Sequence, residues 1–403
     1  TRVLVVAGDG FGHEALDKSS QPSLVHGFTL PLPTPLGFRL EEAKRRTQMP
    51  NLFEPVTLRQ SEVRNRVFIA PMCQYSCENQ DGVVNDWHLV HYTELAKGGA
   101  GLVVAEATAI RPDGRISPWC AGLWNEQQVE AWAMVARSVQ SHGAKFGIQL
   151  AHAGRKASTH RPWSGSGSVP VADGGWQTVS STDQPFPGYA NPVRLSTAEL
   201  EQVVLDFAAA AERAVLAGFD LVQIHAAHGY LLHQFLSPLA NNRTDAFGGS
   251  LENRARLLLS VVAAVRVAIG QLPLMVRFSA TDWLEGGFTA EECAQLAQWC
   301  EAAGADCFDI SSGGITIPAP IPAGPGYQVP LAKTVAASIS VPVGAVGFIT
   351  TGPQSQEILD AGDLDFISVA RASLGNPHWP AHAATELGVP VTFVPKQYER
   401  AVY

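Results

Sequence analysis

The chain has 403 residues, of which 46% are hydrophobic and 16% charged, and its formal net charge is −9. This composition is typical of a globular enzyme, and the negative charge argues against nucleic-acid binding, which needs clustered Lys and Arg. No apolar run reaches the roughly 18 residues that span a bilayer, and the apolar start is too short for a secretory signal, so we expect a cytoplasmic protein without membrane partners.

Residues 1–48 form a predicted N-terminal extension of unknown role. The run Gly8-Asp9-Gly10-Phe11-Gly12 lacks the full dinucleotide-binding fingerprint, and no strand–helix–strand unit follows it. The alternate prolines from Pro31 to Pro35 indicate an extended linker. We therefore place one folded domain at residues 49–403.

Eight short apolar runs are predicted to be strands buried on both faces of a parallel sheet, because they are rich in Val, Ile, Leu and Phe. The runs are Arg66–Ala70, Gly101–Ala109, Lys145–Ala151, Asp220–Ala226, Leu272–Ser279, Asp306–Ser311, Val341–Val346 and Asp365–Ala370. Helical patterns lie between them, with capping signals at Ser196, Ser250 and Thr289. Strand and helix alternating eight times predicts a (β/α)8 TIM barrel, with a doubly wound sheet as the alternative.

Two connections are long, one before the Ser196 helix and one before the Ser250 helix. The first contains Trp163, Trp176 and several other aromatic residues. Long connections at the carboxyl end of a barrel usually build the active site or its lid. We therefore expect active-site capping insertions, with a disordered insertion as the alternative.

Polar residues interrupt two of the predicted strands. Arg277 lies in the run Leu272–Ser279, which contains no acidic residue, and a buried guanidinium is costly unless it is paired. An anionic ligand such as reduced flavin would pair with it, and a carboxylate of a neighbouring strand such as Glu106 is the alternative. The amide of Gln149 suits the pyrimidine edge of a flavin.

Barrels commonly bind phosphate after strands seven and eight. Gly347 follows the seventh predicted strand, while Ala370 and Arg371 end the eighth. Glycine lets backbone N–H groups approach an anion closely, and arginine adds a bidentate donor. The sequence therefore predicts a phosphate site at these two strand ends.

His225 lies near the end of the fourth predicted strand, and His228 and Tyr230 follow that strand. Two histidines at one strand end can hold and polarise a carbonyl oxygen, and a nearby tyrosine can act as a general acid. A metal site would need a third ligand, and the His-Glu-x-x-His motif is absent, so we predict no metal. Histidines with a purely structural role are the second alternative.

The run from Gln223 to Arg254 resembles the old yellow enzyme family of flavin-dependent ene-reductases, notably in Gln234-Phe235-Leu236-Ser237-Pro238 and Phe247-Gly248-Gly249-Ser250-Leu251. Ala70-Pro71-Met72-Cys73, followed by Tyr75, resembles the thermophilic-like bacterial subgroup. The resemblance covers about residues 50–403. It implies tightly bound FMN, reduced by NADPH or NADH, that passes hydride from N5 to the β-carbon of α,β-unsaturated carbonyl compounds.

The same resemblance implies roles for individual residues. The FMN-binding residues would be Ala70, Pro71, Met72, Cys73, Ala107, Gln149, Arg277, Gly347, Ala370 and Arg371. The catalytic residues would be His225, His228, Tyr230 and Tyr75, with Tyr230 supplying the α-carbon proton. The substrate-binding residues would be Tyr75, Lys156, His225, His228 and Arg400.

The tail Lys396-Gln397-Tyr398-Glu399-Arg400 also resembles this subgroup, in which the arginine reaches a neighbouring subunit's active site. The resemblance therefore implies a homodimer or homotetramer that shares Arg400. A solvated tail charge is the alternative.

Other FMN barrels are weaker alternatives. Relatives of dienoyl-CoA reductase and trimethylamine dehydrogenase carry an iron–sulfur cluster, but the chain has no Cys-x-x-Cys spacing. A tRNA dihydrouridine synthase would need a basic surface. Two further alternatives are a flavin-based redox sensor with Cys73 beside the flavin and a reductase that acts on a different acceptor. Turnover with an enone distinguishes the sensor from the predicted ene-reductase.

Overall fold

The computed structural model describes residues 51–401 and residue 403, so the extension predicted at residues 1–48 lies outside the described residues. Within the described residues the strands are β1 Val56–Leu58, β2 Ser61–Val63, β3 Val67–Ile69, β4 Leu102–Ala109, β5 Lys145–Ala151, β6 Val179–Ser180, β7 Val193–Arg194, β8 Leu221–Ala226, β9 Leu274–Ser279, β10 Cys307–Ser311, β11 Val343–Ala345 and β12 Phe366–Val369. The helices are α1 Asp86–Lys97, α2 Glu126–Ser141, α3 Thr197–Leu216, α4 Leu231–Leu236, α5 Leu251–Ile269, α6 Ala290–Ala302, α7 Val329–Ala336, α8 Gly352–Asp360, α9 Arg371–Gly375 and α10 Trp379–Glu386.

Eight parallel strands close into a barrel in the order β10-β11-β12-β3-β4-β5-β8-β9. Every residue of β4, β8, β9 and β10 is buried, as expected of strands with side chains on the barrel interior and under the helix layer. The predicted (β/α)8 TIM barrel is therefore confirmed, and the doubly wound alternative is excluded by closure.

The amino-terminal end of the barrel is sealed by the β1–β2 hairpin. Val56, Leu58 and Val63 of this hairpin pack against the first residues of the barrel strands, among them Phe68 and Leu102. This end carries stability rather than chemistry in a TIM barrel. The site must therefore be sought at the opposite end.

Aspartates that precede three barrel strands bind the neighbouring strands. Asp220, Asp306 and Asp365 each accept a hydrogen bond of 2.8 to 3.0 Å from a backbone N–H at the start of the adjacent strand. Each carboxylate thus satisfies a donor that the parallel ladder leaves open. These contacts help to fix the strand register, which in turn decides which side chains meet at the carboxyl end.

Three helices begin at the residues that the sequence predicts. Ser196 and Thr289 form capping boxes at α3 and α6, and Ser250 accepts from a backbone N–H of the first turn of α5. Apolar stripes on these helices pack onto the strands, where they form the main core. No helix in the described part of the chain is long and apolar enough to cross a membrane.

The long connection between β5 and α3 is an ordered cap. The indole N–H of Trp176 donates to the carbonyl of Asp113 at 2.9 Å, and Arg243 donates to the carbonyl of Leu195 at 2.7 Å. Trp163 lies edge-on to Tyr75, with 5.8 Å between their ring centroids. The cap therefore contacts the predicted site and is not a disordered insertion.

Candidate active site

A cavity of about 400 Å³ opens at the carboxyl ends of β9 to β12. It is lined by Arg277, Ser311, Tyr327, Gln328, Val346, Gly347, Phe348, Ile349, Thr350, Ser368, Ala370, Arg371 and Ala372. Four predicted cofactor residues lie in this lining: Arg277, Gly347, Ala370 and Arg371. The cavity is at the end of the barrel where the loops after parallel strands build binding sites.

Arg277 has a carboxylate of a neighbouring strand beside it, which was the alternative to an anionic ligand. Its Nε lies 3.0 Å from a carboxylate oxygen of Asp309, which the strand register places directly opposite. The N–H is not aligned for a hydrogen bond, so the contact is an ion pair only. Glu106 was the wrong alternative partner, because it instead accepts hydrogen bonds from Tyr92 and from the backbone of Gln74.

Gln149 is held by a second buried amide. Its Nε2 donates to Oε1 of Gln223 at 2.7 Å, and Nε2 of Gln223 contacts the sulfur of Met275 at 2.8 Å. A bulge at Glu106 shifts the register of β4, so that Ala107 lies opposite Gln149 on β5. The bulge therefore brings two predicted cofactor residues to one level of the barrel.

The loop after β3 lies beside these residues and contains Ala70, Pro71, Met72, Cys73 and Tyr75. Ala70 donates its N–H to Val369 at 2.9 Å, which joins this loop to the end of β12. Cys73 and Tyr75 pack with Ala107 and Tyr230 in a small apolar cluster. Burial raises the pKa of the Cys73 thiol well above its usual range, so this thiol is neutral.

The two histidines meet at the end of β8. Their ring centroids are 5.2 Å apart, and the ring of His225 is 5.0 Å from that of Tyr230. Nδ1 of His225 accepts from the N–H of Ala227 at 3.3 Å, so a neutral ring carries its proton on Nε2. Burial, and then the positive charge of Arg277, lower the pKa of both histidines well below the usual range. Both rings are therefore neutral at pH 7.

Tyr230 and Lys156 lie together beside the histidines. Burial raises the pKa of the Tyr230 phenol well above its usual range, so it stays protonated. The ammonium of Lys156 is 5.1 Å from the Tyr230 ring centroid and donates to the carbonyls of His228 and Gly314 at 2.8 and 3.0 Å. Burial lowers the pKa of Lys156 to about 8. Lys156 is thus bonded to the backbone of the turn that carries His228.

Two predicted residues lie at the edge of the site or away from it. Arg371 is exposed, and its guanidinium stacks over the ring of Phe348 with 4.7 Å to the centroid. Arg400 is exposed near the carboxyl end, and none of the contacts described for residues 51–401 joins it to the cavity.

Sequence reasoning missed Asp309, Ser311, Gln328 and Phe348. Ser311 lies 2.8 Å from Nε2 of His228, and Gln328 donates to the carbonyl of Val346 at 2.8 Å. The run Ser312-Gly313-Gly314 after β10 indicates a polar loop at this position, but no sequence motif predicts a role for Gln328. Tyr75, His228 and Phe348 also have positive φ angles, a strain that clusters at functional sites and has no sequence signal in these residue types.

The donor set is chemically suited to FMN. Arg277 and Gln149 offer N–H donors and an amide for a flavin ring, and Arg371 offers a cation near the glycine of the β11 loop. That glycine, Gly347, has φ +125°, and a Cβ there would fall 2.8 Å from Nε2 of Gln328. A larger residue would therefore crowd Gln328, and the positive φ also favours glycine at this position of the cavity lining. Among the described residues no three His, Cys, Asp or Glu side chains form a possible metal site.

Comparison with known proteins agrees with this chemistry. The family model described as NADH:flavin oxidoreductase / NADH oxidase matches residues 51–389. The NADPH dehydrogenase of Halalkalibacterium halodurans is 41% identical over 350 residues, which are 87% of this chain and 98% of that protein. Morphinone reductase, solved in complex with tetrahydroNAD, is 27% identical with a TM-score of 0.71, and the match covers 85% of this chain and 92% of that one.

A 2-naphthoyl-CoA reductase, solved in complex with 2-naphthoyl-CoA, is 28% identical with a TM-score of 0.76. The match covers 85% of this chain and 53% of that one, so this chain spans about half the length of that reductase.

Proposed function

The chain belongs to the old yellow enzyme family of FMN-dependent NAD(P)H oxidoreductases, and from this premise we propose that it is an ene-reductase for α,β-unsaturated carbonyl compounds. The observation that carries the proposal is the group at the end of β8. The imidazole of His225 lies 5.2 Å from that of His228 and 5.0 Å from the phenol ring of Tyr230, between ring centroids. This set can bind a carbonyl oxygen and supply a proton.

The FMN site is proposed to be the cavity together with the neighbouring ends of β3 to β5. The residues assigned to it are Ala70, Pro71, Met72, Cys73, Ala107, Gln149, Arg277, Gly347, Ala370 and Arg371. Arg277 would stabilise negative charge on the flavin ring, and Gly347 with Arg371 would bind the phosphate. Bound FMN would take two electrons from NAD(P)H and supply hydride to the alkene β-carbon.

His225 and His228 are proposed to hold the carbonyl oxygen of the acceptor. Nε2–H of His225 is the first donor. Oγ of Ser311 lies 2.8 Å from Nε2 of His228 and 3.3 Å from Oε1 of Gln328, which also accepts from Ser312 at 2.5 Å. We propose that Ser311 donates to Nε2 of His228 when the acceptor is bound, which leaves the proton of that ring on Nδ1 as the second donor. Two N–H donors withdraw electron density from the carbonyl and make the β-carbon a better hydride acceptor.

Tyr230 is proposed to protonate the α-carbon, and Tyr75 to hydrogen-bond the acceptor from the opposite loop. Because its pKa is raised, Tyr230 holds its proton at neutral pH and can act as a general acid. Lys156 is proposed to contribute to substrate binding.

Arg400 is proposed to complete the site of a neighbouring subunit in a homodimer or homotetramer, and its exposed position is compatible with that role.

An anaerobic spectral experiment tests the proposal. We expect NADPH to bleach the visible FMN band and 2-cyclohexenone to restore it. Tyr230→Phe should slow the recovery by roughly 10²- to 10⁴-fold while bleaching stays near wild type, because only the second half-reaction needs the proton. Tyr189→Phe, which removes a phenol from the cap, is the matched control.

Bleaching without recovery in the wild type would contradict the ene-reductase proposal. It would instead favour a different acceptor or a flavin-based sensor. The neutral Cys73 thiol already speaks against a thiolate-based sensor.

A further inference from the structure

The turn that carries His228 and Tyr230 has an unusual backbone. His228 and Gly229 are consecutive residues with positive φ, at +57° and +73°. The left-handed region is unfavourable for a histidine, so the surrounding structure must hold it there. How it does so bears on both proposed catalytic groups that flank Gly229.

Each backbone polar group of this residue pair bonds to a side chain. The N–H of His228 donates to Oγ of a serine at 2.9 Å, and that of Gly229 donates to a histidine Nδ1 at 2.9 Å. The two carbonyls accept from an ammonium at 2.8 Å and from an amide at 2.7 Å. The four side chains are Ser279, Lys156, His233 and Gln234. His233 and Gln234 belong to α4, which directly follows the turn, whereas Ser279 and Lys156 come from distant parts of the chain. The conformation of the turn therefore depends on both local and tertiary contacts.

His233 is itself held by a buried carboxylate. Since its Nδ1 accepts from Gly229, its proton lies on Nε2, which is 3.1 Å from Oδ1 of Asp282 without hydrogen-bond alignment. The other oxygen of Asp282 accepts from Ser237 at 2.6 Å and from the N–H of Phe288 at 2.8 Å. Both members of the pair are fully buried. A fixed anion thus lies behind the ring that holds Gly229.

Asp282 remains ionised in this position. Burial alone would raise its pKa, but the contacts with His233, Ser237 and Phe288 lower it below the usual range. A neutral Asp282 would be a second proton donor next to the N–H of His233. The charge therefore selects the tautomer in which Nδ1 of His233 can accept.

We propose that Asp282 and His233 are positioning residues for the reduction of the acceptor. Asp282 fixes the tautomer and ring of His233, His233 holds the N–H of Gly229, and the turn then directs His228 and Tyr230 toward the acceptor. Neither residue belongs to the cavity lining. The inference rests on the proposed function, because it assigns the two residues to the same site.

The rate of amide hydrogen exchange at Gly229 in the holoenzyme tests this role directly. His233→Leu removes the acceptor, and Asp282→Asn keeps the shape but removes the charge. We expect faster exchange of the Gly229 amide in both variants and wild-type exchange in the rest of the barrel. Glu94→Gln, which removes the carboxylate of the outer His378–Glu94 pair, is the matched control. Wild-type exchange at Gly229 in both variants, or an increase spread over the whole chain, would overturn the proposal.

Ligand binding and reoxidation give a second readout. We expect His233→Leu to weaken binding of 4-hydroxybenzaldehyde, followed through the flavin spectrum, by roughly tenfold, because a buried donor loses its partner. Reoxidation by 2-cyclohexenone should slow by a similar factor. His233→Gln retains an acceptor and should lie between wild type and His233→Leu. Wild-type binding and reoxidation in His233→Leu would overturn the proposal.

The two hypotheses fail in different ways. If 2-cyclohexenone does not reoxidise the wild type, the ene-reductase assignment fails. The exchange of the Gly229 amide then still decides whether Asp282 and His233 position the turn.

Discussion

At the scale of single residues, the positive charge of Arg277 is partly neutralised by a neighbouring carboxylate. The guanidinium faces the cavity, but Asp309 lies 3.0 Å from its Nε and also accepts from Ser368 at 3.0 Å. Part of the positive charge is therefore balanced within the protein before any ligand binds. The balance between these two side chains should set how strongly negative charge on the flavin is stabilised.

Substitutions at Asp309 and Arg277 should move the FMN midpoint potential in opposite directions. Asp309→Asn removes a negative charge that repels the anionic reduced flavin and so destabilises it, and the potential should therefore rise. Arg277→Met removes the stabilising cation, so it should fall. A charged hydrogen bond is worth roughly 1.5–3 kcal/mol, which corresponds to roughly 30–65 mV for two electrons.

A reductive titration with a reference dye measures both shifts. Arg277→Lys keeps the charge and should lie between Arg277→Met and the wild type. Asp206→Asn, on the outer helix α3, controls for a general change of charge. Shifts of the same sign in Asp309→Asn and Arg277→Met would show that the pair does not act through charge.

At the scale of elements, the strands could be predicted because they are continuous apolar runs. All eight were located, yet most predicted ends were one or two residues too long. Asp220, Asp306 and Asp365 were counted as strand residues, whereas their side chains accept from the neighbouring strands just before their own strands begin. An aspartate directly before an apolar run of this barrel is therefore the last residue of the preceding connection and not the first residue of the strand.

Local signals were predictable, and signals that depend on register were not. The box of Ser196 and Glu199 is complete within four residues, so the start of α3 can be read from the sequence. The contacts of Arg277 with Asp309 and of His228 with Ser311 depend on which residues the parallel ladder aligns. The predicted site residues rest on the sequence pattern and the family resemblance, while the partners that orient those residues required the fold.

The bulge in β4 illustrates the same limit. In the sequence, Glu106 lies within an apolar run, and its only predicted role is as the alternative partner of Arg277. In the structure it bulges out of register, where it binds Tyr92 and the loop carrying Cys73 and Tyr75. A one-residue shift of this kind leaves no mark in a run of Val and Ala.

At the scale of the whole molecule, the carboxyl-terminal segment bears on assembly. Lys97 of α1 lies over the ring of Tyr398 with 5.0 Å to the centroid, and the ring of His378 packs at a tilt against the same ring with 5.5 Å between centroids. These contacts hold the segment on the helix layer, while Arg400, two residues further on, is exposed. An exposed arginine within an anchored segment can be presented to a second subunit.

We predict a dimer or tetramer whose sites share Arg400. Light scattering after size exclusion measures the assembly, and a monomer would contradict the prediction. Arg400→Ala should lower kcat/KM for 2-cyclohexenone, whereas Lys396→Ala should not. Mixed dimers of Arg400→Ala and Tyr230→Phe subunits should regain activity, because one site then has both residues. No recovery on mixing would place Arg400 in its own subunit's site.

The buried histidines should make the folded protein sensitive to mild acid. Burial lowers the pKa of His91 and of His152 to about 4 and lowers those of His225 and His228 well below the usual range. In the unfolded chain each would titrate near 6.5. As the pH falls below that value, the unfolded state binds protons that the folded state cannot, so the stability present above pH 6.5 is progressively lost.

Urea unfolding of the holoenzyme between pH 8 and pH 4.5 measures this effect. The free energy of unfolding should be nearly constant above pH 7. Below pH 6.5 it should fall by about 1.4 kcal/mol per pH unit for each histidine that stays neutral. His91→Gln should reduce that slope by about one histidine's share, because the unfolded chain then has one proton fewer to bind. Carboxylates with lowered pKa values, such as Asp245, act only below about pH 4 and cannot produce the loss at pH 6. A free energy that is flat down to pH 5 would mean that the histidines take up protons in the folded state, and the neutral donors assigned to the carbonyl oxygen would then be excluded.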